Sequence, residues 1–184
     1  GYRPSAAADA ALTVDADLLR PLQEASDRHD IVVAVGAPLR AAAGVEIGML
    51  FFCPQRPVSS YAKQILHADE LPDFVPGHRE LLLEVGGQRV APAICYESLQ
   101  PQHARSAKTR GATLYLVGVA KTHSAMKRAH AHYAGLGMPV MVANAVGEHE
   151  GLSAAGLSAA WDAEGHLIGV LGDGEGSLVV DLPG

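Results

Sequence analysis

The segment Arg89-Val90-Ala91-Pro92-Ala93-Ile94-Cys95-Tyr96-Glu97-Ser98-Leu99-Gln100-Pro101 runs an apolar strand straight into a cysteine, turns polar, and reaches a proline. Proline suits the first turn of a helix, so Pro101–Thr109 reads as helix, with Gly111 just beyond its end. Working outward, Leu81–Val85 precedes Gly86-Gly87, and paired glycines supply the positive φ of a tight hairpin into Arg89–Ile94. Thr113–Val119 reads as a strand, Thr122–Leu136 as a helix and Pro139–Ala145 as a strand. Upstream, Asp15–His29 shows helical spacing of Leu18, Leu19, Leu22 and Ala25, with Asp15 or Asp17 as its cap. Ile31–Val35 reads as a strand buried on both faces and stopped by Gly36 and Pro38. Glu46–Cys53 and Val58–Ala62 flank Pro54–Pro57 as a hairpin. Downstream, Gly147–Gly156 reads as a loop, and Leu157–Trp161, Leu167–Val170 and Ser177–Asp181 as strands. The Ala6–Ala11 stretch reads as a loop or short helix. Strands that alternate with helices in one part and pair as hairpins in another imply a layered α/β fold.

The chain has 184 residues, enough for one domain spanning 1–184 with a real core. Its 48% hydrophobic and 18% charged content excludes a disordered chain. No apolar run reaches the roughly 18 residues of a membrane span. A net charge of −6, with nine histidines counted neutral, offers no basic field for nucleic acid. Two cysteines make no disulfide framework, so a cytoplasmic setting is expected. Gly1-Tyr2-Arg3-Pro4 lacks the basic-then-apolar pattern of a leader.

Cys95 is the first candidate for chemistry. A thiol at a strand end, on a sharp turn ahead of a helix, stands near N–H groups that lower its pKa and can hold an oxyanion. The alternative is a small buried hydrophobe, as most free cysteines are and as Cys53, inside an apolar run, is expected to be. Lys63 closes a strand, and Glu70 follows seven residues later. A lysine facing a cysteine would steady a developing oxyanion, whereas a solvated surface lysine would do nothing. His130 and His132 are two apart and point to different helix faces, and no CxxC or HExxH occurs, which argues against a metal centre. Gly172-Asp173-Gly174-Glu175-Gly176 precedes a strand and not a helix, so it cradles no phosphate.

Taken together these segments resemble the carbon–nitrogen hydrolase (nitrilase) superfamily over nearly the whole chain. The matching pieces are Tyr61-x-Lys63, Glu70, Phe74-Val75-Pro76-Gly77, Ile94-Cys95-Tyr96-Glu97 with Pro101, and Arg110-Gly111-Ala112-Thr113-Leu114. Val140–Asn144, Gly156-Leu157-Ser158, Asp162-Ala163-Glu164-Gly165 and Gly174–Asp181 complete the series. The resemblance implies an α-β-β-α sandwich and a Glu-Lys-Cys triad acting through a covalent thioester. It makes Cys95 the nucleophile, Lys63 the oxyanion lysine and Glu70 a supporting glutamate that positions the lysine. Tyr96, Glu97, Ala120 and Lys121 become candidates for substrate binding. It implies a small-molecule amide substrate, no cofactor, no metal, and a homodimer.

The chain departs from the pattern in several places. Under the resemblance the general-base glutamate and the first strand-helix-strand lie upstream of Gly1, so the sequence reads as a shortened form of a longer protein. Leu99 and Gln102 stand where relatives often carry Arg and Glu, and Gly135 stands where they often carry Glu. Lys121 either meets a substrate carboxylate or points to solvent. Competing readings are a nitrilase-fold binding protein without catalysis, a true nitrilase, and an N-carbamoyl amidase.

Overall fold

The computed structural model describes residues 3–71 and 73–182. The chain folds as two compact units, Pro4–Leu81 and the chain from Leu82 onward.

In the first unit, a short helix α1 (Ala7–Ala10) and a 3₁₀ turn at Asp17–Leu19 precede α2 (Arg20–His29). The helix starts later than the sequence periodicity implies, and neither Asp15 nor Asp17 caps it: Leu19 holds the N-cap position without a side-chain bond. Pro21 in the first turn needs no N–H acceptor there. Asp30, in left-handed conformation (φ 53°), ends α2. Strands β1 (Val33–Ala41), β2 (Gly44–Phe52) and β3 (Ser59–Ala62) form an antiparallel sheet in that order. The expected β2–β3 hairpin is present. The expected stop at Gly36 and Pro38 is not, because β1 runs through both. It is an edge strand, and the Pro38 carbonyl accepts from the Leu12 N–H on the side away from β2. The N–H that proline lacks would therefore have faced outward, where its loss breaks no sheet bond. Nor is β1 buried on both faces: Leu39 is buried, and its other residues are half-buried or exposed. Leu19, Leu39, Leu50 and Phe52 make the buried core, with Leu22, Val33 and Val35 packed against it. Cys53 is buried, as expected.

The second unit holds a six-stranded mixed sheet ordered β11-β10-β7-β6-β5-β4. Its strands are β4 (Leu83–Val85), β5 (Gln88–Ile94), β6 (Leu114–Val119), β7 (Val140–Asn144), β10 (Ala159–Trp161) and β11 (Leu167–Val170). Gly86 (φ 55°) and Gly87 (φ 80°) make the β4–β5 turn, the left-handed pair that the sequence reading requires. Strands β5, β6 and β7 are parallel, joined by α3 (Pro101–Thr109) and α4 (His123–Ala134). Thr122 caps α4, its Oγ accepting the Ala125 N–H at 3.4 Å. Ala104 and Ala107 of α3 and Met126, Ala129 and Tyr133 of α4 share one core with Ala91, Ala93, Tyr115, Val117, Val140 and Trp161. The segment expected to be a loop, 147–156, is instead a hairpin of β8 (Val146–His149) and β9 (Leu152–Ala155), turned by Glu150 (φ 48°) and Gly151 (φ 84°). Ser177–Asp181 is not a strand. Leu178 and Val180 lie over Gly169 of β11 by side-chain contact, without joining a ladder. Among the described residues no helix is long and apolar enough to cross a membrane. Sheets and helices together give the mixed α/β class.

Candidate active site

Strand β5 ends at Ile94 in extended conformation (φ −121°), and Cys95 then swings to φ 48° and opens a 3₁₀ turn, Cys95–Leu99. A left-handed conformation costs a non-glycine residue about 1–2 kcal/mol, so neighbours must hold it. They do. The Ile94 N–H donates to Oε1 of Glu97 at 2.8 Å, and Ser98 Oγ donates to the Cys95 carbonyl at 2.6 Å. Ser98 Oγ in turn lies 2.8 Å from the Tyr133 hydroxyl, and His132 Nε2 donates to the Ser98 carbonyl at 3.0 Å. The thiol residue itself is half-buried.

Glu97 is fully buried. His103 Nε2 stands 3.8 Å from its Oε2, and His103 Nδ1 meets the Tyr115 hydroxyl at 2.7 Å. Burial first, then the Glu97 charge, pushes the Tyr115 phenol far above its ordinary value. Tyr133 is pushed up as well, by burial first, against the opposing Ser98 hydrogen bond. The Glu97 carboxylate thus faces into the protein and is engaged by the backbone of the turn that carries Cys95. That is a position for holding the turn, in contrast to the substrate contact expected of it. His103, Ser98, Tyr115 and Tyr133 escaped the sequence reading because no spacing motif announces a buried network.

In the unit Pro4–Leu81, Lys63 follows β3 directly. Its N–H donates to the Ile47 carbonyl and its own carbonyl accepts the Gly77 N–H, each at 2.8 Å. Gly77 must be glycine, since a Cβ there would sit 2.5 Å from the Ala62 carbonyl oxygen. That close approach is the physical content of the Phe74–Gly77 motif. Lys63 is fully buried, and its Nζ lies 2.6 Å from both carboxylate oxygens of Glu70. The His67 N–H also donates to Glu70, at 2.7 Å. An ammonium has three protons, and the third of Lys63 has no partner among the described residues. Lys63 and Glu70 are therefore brought together as a buried, charge-assisted pair.

The remaining candidates sit in the second unit. Tyr96 and Ala120 are half-buried, and Lys121 is nine-tenths buried. The Lys121 backbone is clamped by Asn144 at the end of β7. Asn144 Oδ1 accepts the Lys121 N–H at 2.8 Å, and Nδ2 donates to the carbonyls of Lys121 (3.0 Å) and Gly156 (2.6 Å). Ser158 Oγ accepts the Asn144 N–H at 2.9 Å. The expected Ala-Asn and Gly-x-Ser pieces thus meet in one hydrogen-bonded knot.

A family model for carbon-nitrogen hydrolases matches residues 1–183. An apolipoprotein N-acyltransferase from Methylococcus capsulatus is 32% identical over 122 residues. The match takes in 55% of this chain and 24% of that protein, so the chain spans about a quarter of the length of this curated relative. Among solved structures, XC1258 from Xanthomonas campestris, a CN-hydrolase superfamily protein with an arsenic adduct in its active site, is similar with a TM-score of 0.87. Its identity is 21%, over 96% of this chain and 71% of that one, a likeness of fold. A mutant of the Nesterenkonia sp. AN1 amidase, in which acrylamide has added to the active-site cysteine, has a TM-score of 0.84 at 29% identity. It covers 100% of this chain and 76% of that one. With the family match running almost end to end and the nitrilase-superfamily fold shared with these amidases, the chain belongs to the carbon-nitrogen hydrolase family.

Proposed function

We propose that this chain carries the nucleophile of an amidase-type enzyme that splits a non-peptide C–N bond in a small molecule. The observation that supports this most is the conformation of Cys95: a half-buried thiol at a strand end, held at φ 48° by Glu97 and Ser98. The first N–H groups of the turn that it opens are donors toward anions. The thiolate attacks the amide carbon, a C–S bond forms, and the carbonyl electron pair moves to oxygen. The family resemblance assigns that oxyanion charge to Lys63. The pair then returns, the C–N bond breaks, and ammonia or an amine leaves with a proton. Water attacks the thioester, releasing a carboxylic acid and restoring the thiol. Glu70 holds the Lys63 side chain in place through its two carboxylate oxygens. Family resemblance implies a glutamate as the general base for these proton transfers. Tyr96, Ala120 and Lys121 contact substrate, and Glu97 acts through Cys95 as a positioning residue.

The 32% identity to an N-acyltransferase favours a second reading, in which the same thioester passes its acyl group to an amine in place of water. Ammonia release from an amide panel tests the thioester route. Cys95→Ala is expected to lose turnover by about 10³-fold or more, and a thiol probe is expected to label Cys95 well ahead of buried Cys53. Undiminished turnover by Cys95→Ala, or faster labelling of Cys53, overturns the proposal. An added amine that diverts product from acid to amide selects the transferase reading.

A further inference from the structure

Six residues of the second unit line a cavity of about 270 Å³: Leu99, Lys121, Ala125, Arg128, Ala129 and His132. Four of them come from one face of α4, spaced three and four apart. Leu99 closes the 3₁₀ turn, and Lys121 comes from the β6–α4 connection. The chain as a whole carries 20 acidic residues against 14 lysines and arginines, yet a lysine, an arginine and no carboxylate line this cavity. Lys121 is nine-tenths buried, and its ammonium has no hydrogen-bond or ion-pair partner among the described residues. The buried stem holds this unpaired cation at the cavity, where an external anion would complete it. His132 lines the same cavity with its ring fixed, its Nε2 donating to the Ser98 carbonyl. Arg128, exposed on the adjoining turn of α4, adds a guanidinium, the planar donor fork that suits a carboxylate. The rest of the lining is aliphatic, which fits a short hydrocarbon chain better than an inorganic ion. The volume lies below the roughly 300 Å³ at which drug-sized ligand sites begin, so the ligand is small.

We propose that this cavity binds a small organic carboxylate, paired with Lys121 and Arg128 and resting on Leu99, Ala125 and Ala129. This rests on the proposed function, in which Lys121 contacts substrate, and it names the group contacted as a carboxylate. Glutarate is the probe, followed by calorimetry and by thermal unfolding. Saturating glutarate is expected to raise the unfolding midpoint of the unaltered protein, because a ligand that binds only the folded state stabilises it. Lys121→Met is expected to bind about tenfold more weakly or worse, with Lys121→Arg recovering much of the loss. Should Lys121→Met fail to fold, Arg128→Ala, on an exposed position, is expected to fold and to weaken binding in the same direction. Cys95→Ala keeps glutarate binding even where it abolishes turnover, so the two proposals fail separately. Competition between glutarate and amide turnover identifies the occupant as the substrate's own carboxylate. Binding without competition overturns the assignment of this carboxylate to the substrate. No binding by the unaltered protein, or equal affinity in Lys121→Met and Arg128→Ala, overturns the site.

Discussion

Lys63 and Glu70 show most clearly what one side chain does for another. Two ionised groups taken out of water cost several kcal/mol each, and their 2.6 Å contacts offset that cost only while both are present. Lys63→Met is therefore expected to destabilise the protein by about 3–5 kcal/mol, since it strands a buried carboxylate. Adding Glu70→Leu is expected to recover most of the loss without restoring any activity, as urea unfolding of both variants would show. The pair was legible in the sequence as a spacing within a family motif. Its burial was not, because charge and spacing alone say nothing about which residues fold over them. Glu97 makes the same point. Sequence placed it beside Cys95 and suggested a substrate contact, and only the turn geometry shows its carboxylate committed to the Ile94 amide. For Lys121 the sequence offered solvent or a substrate carboxylate, and the burial of its stem was not legible there.

Elements were legible where punctuation and period agreed. Helix α3 was read to the residue, since Pro101 and Gly111 bracket it, and α4, read as Thr122–Leu136, runs His123–Ala134 with Thr122 as its cap. Two of the misreadings involve glycine or proline taken as a stop. Gly36 and Pro38 lie within an edge strand that tolerates them, and Gly147 and Gly151 belong to a hairpin. The apolar tail Ser177–Asp181 has a strand's composition but no ladder partner, a fact that pairing decides and propensity does not. Where a glycine is structurally required, the cost of replacing it follows from its surroundings. Gly165 turns β10 toward β11 at φ 85°, and a Cβ there would collide with the carbonyl oxygen of Ala134 at the end of α4. Gly165→Ala is expected to cost about 1–3 kcal/mol and to lower the thermal midpoint. Gly86→Ala, with a positive φ but open space around it, is expected to cost less.

At the scale of the molecule, the buried phenols set an upper pH limit. Tyr115 and Tyr133 are both held above the ordinary phenol value of about 10. Raised folded values mean that the folded state keeps protons that the unfolded chain gives up. The stabilisation is complete below pH about 10 and is lost as pH climbs beyond it. In an alkaline titration, these two of the five tyrosines are expected to ionise only together with unfolding. Phenolate absorbance and circular dichroism would then change in step, whereas smooth ionisation of all five in folded protein would contradict the burial. Asn144 sets a limit of another kind. Its one amide group joins the strand that it ends to the backbones of Lys121 and Gly156. Conversion to aspartate, by mutation or by slow deamidation on storage, exchanges a two-proton donor for an oxygen aimed at two carbonyl oxygens. Ageing of the purified protein would then begin at this knot, and the mass gain of a single deamidation at 144 would track the fraction that has come loose.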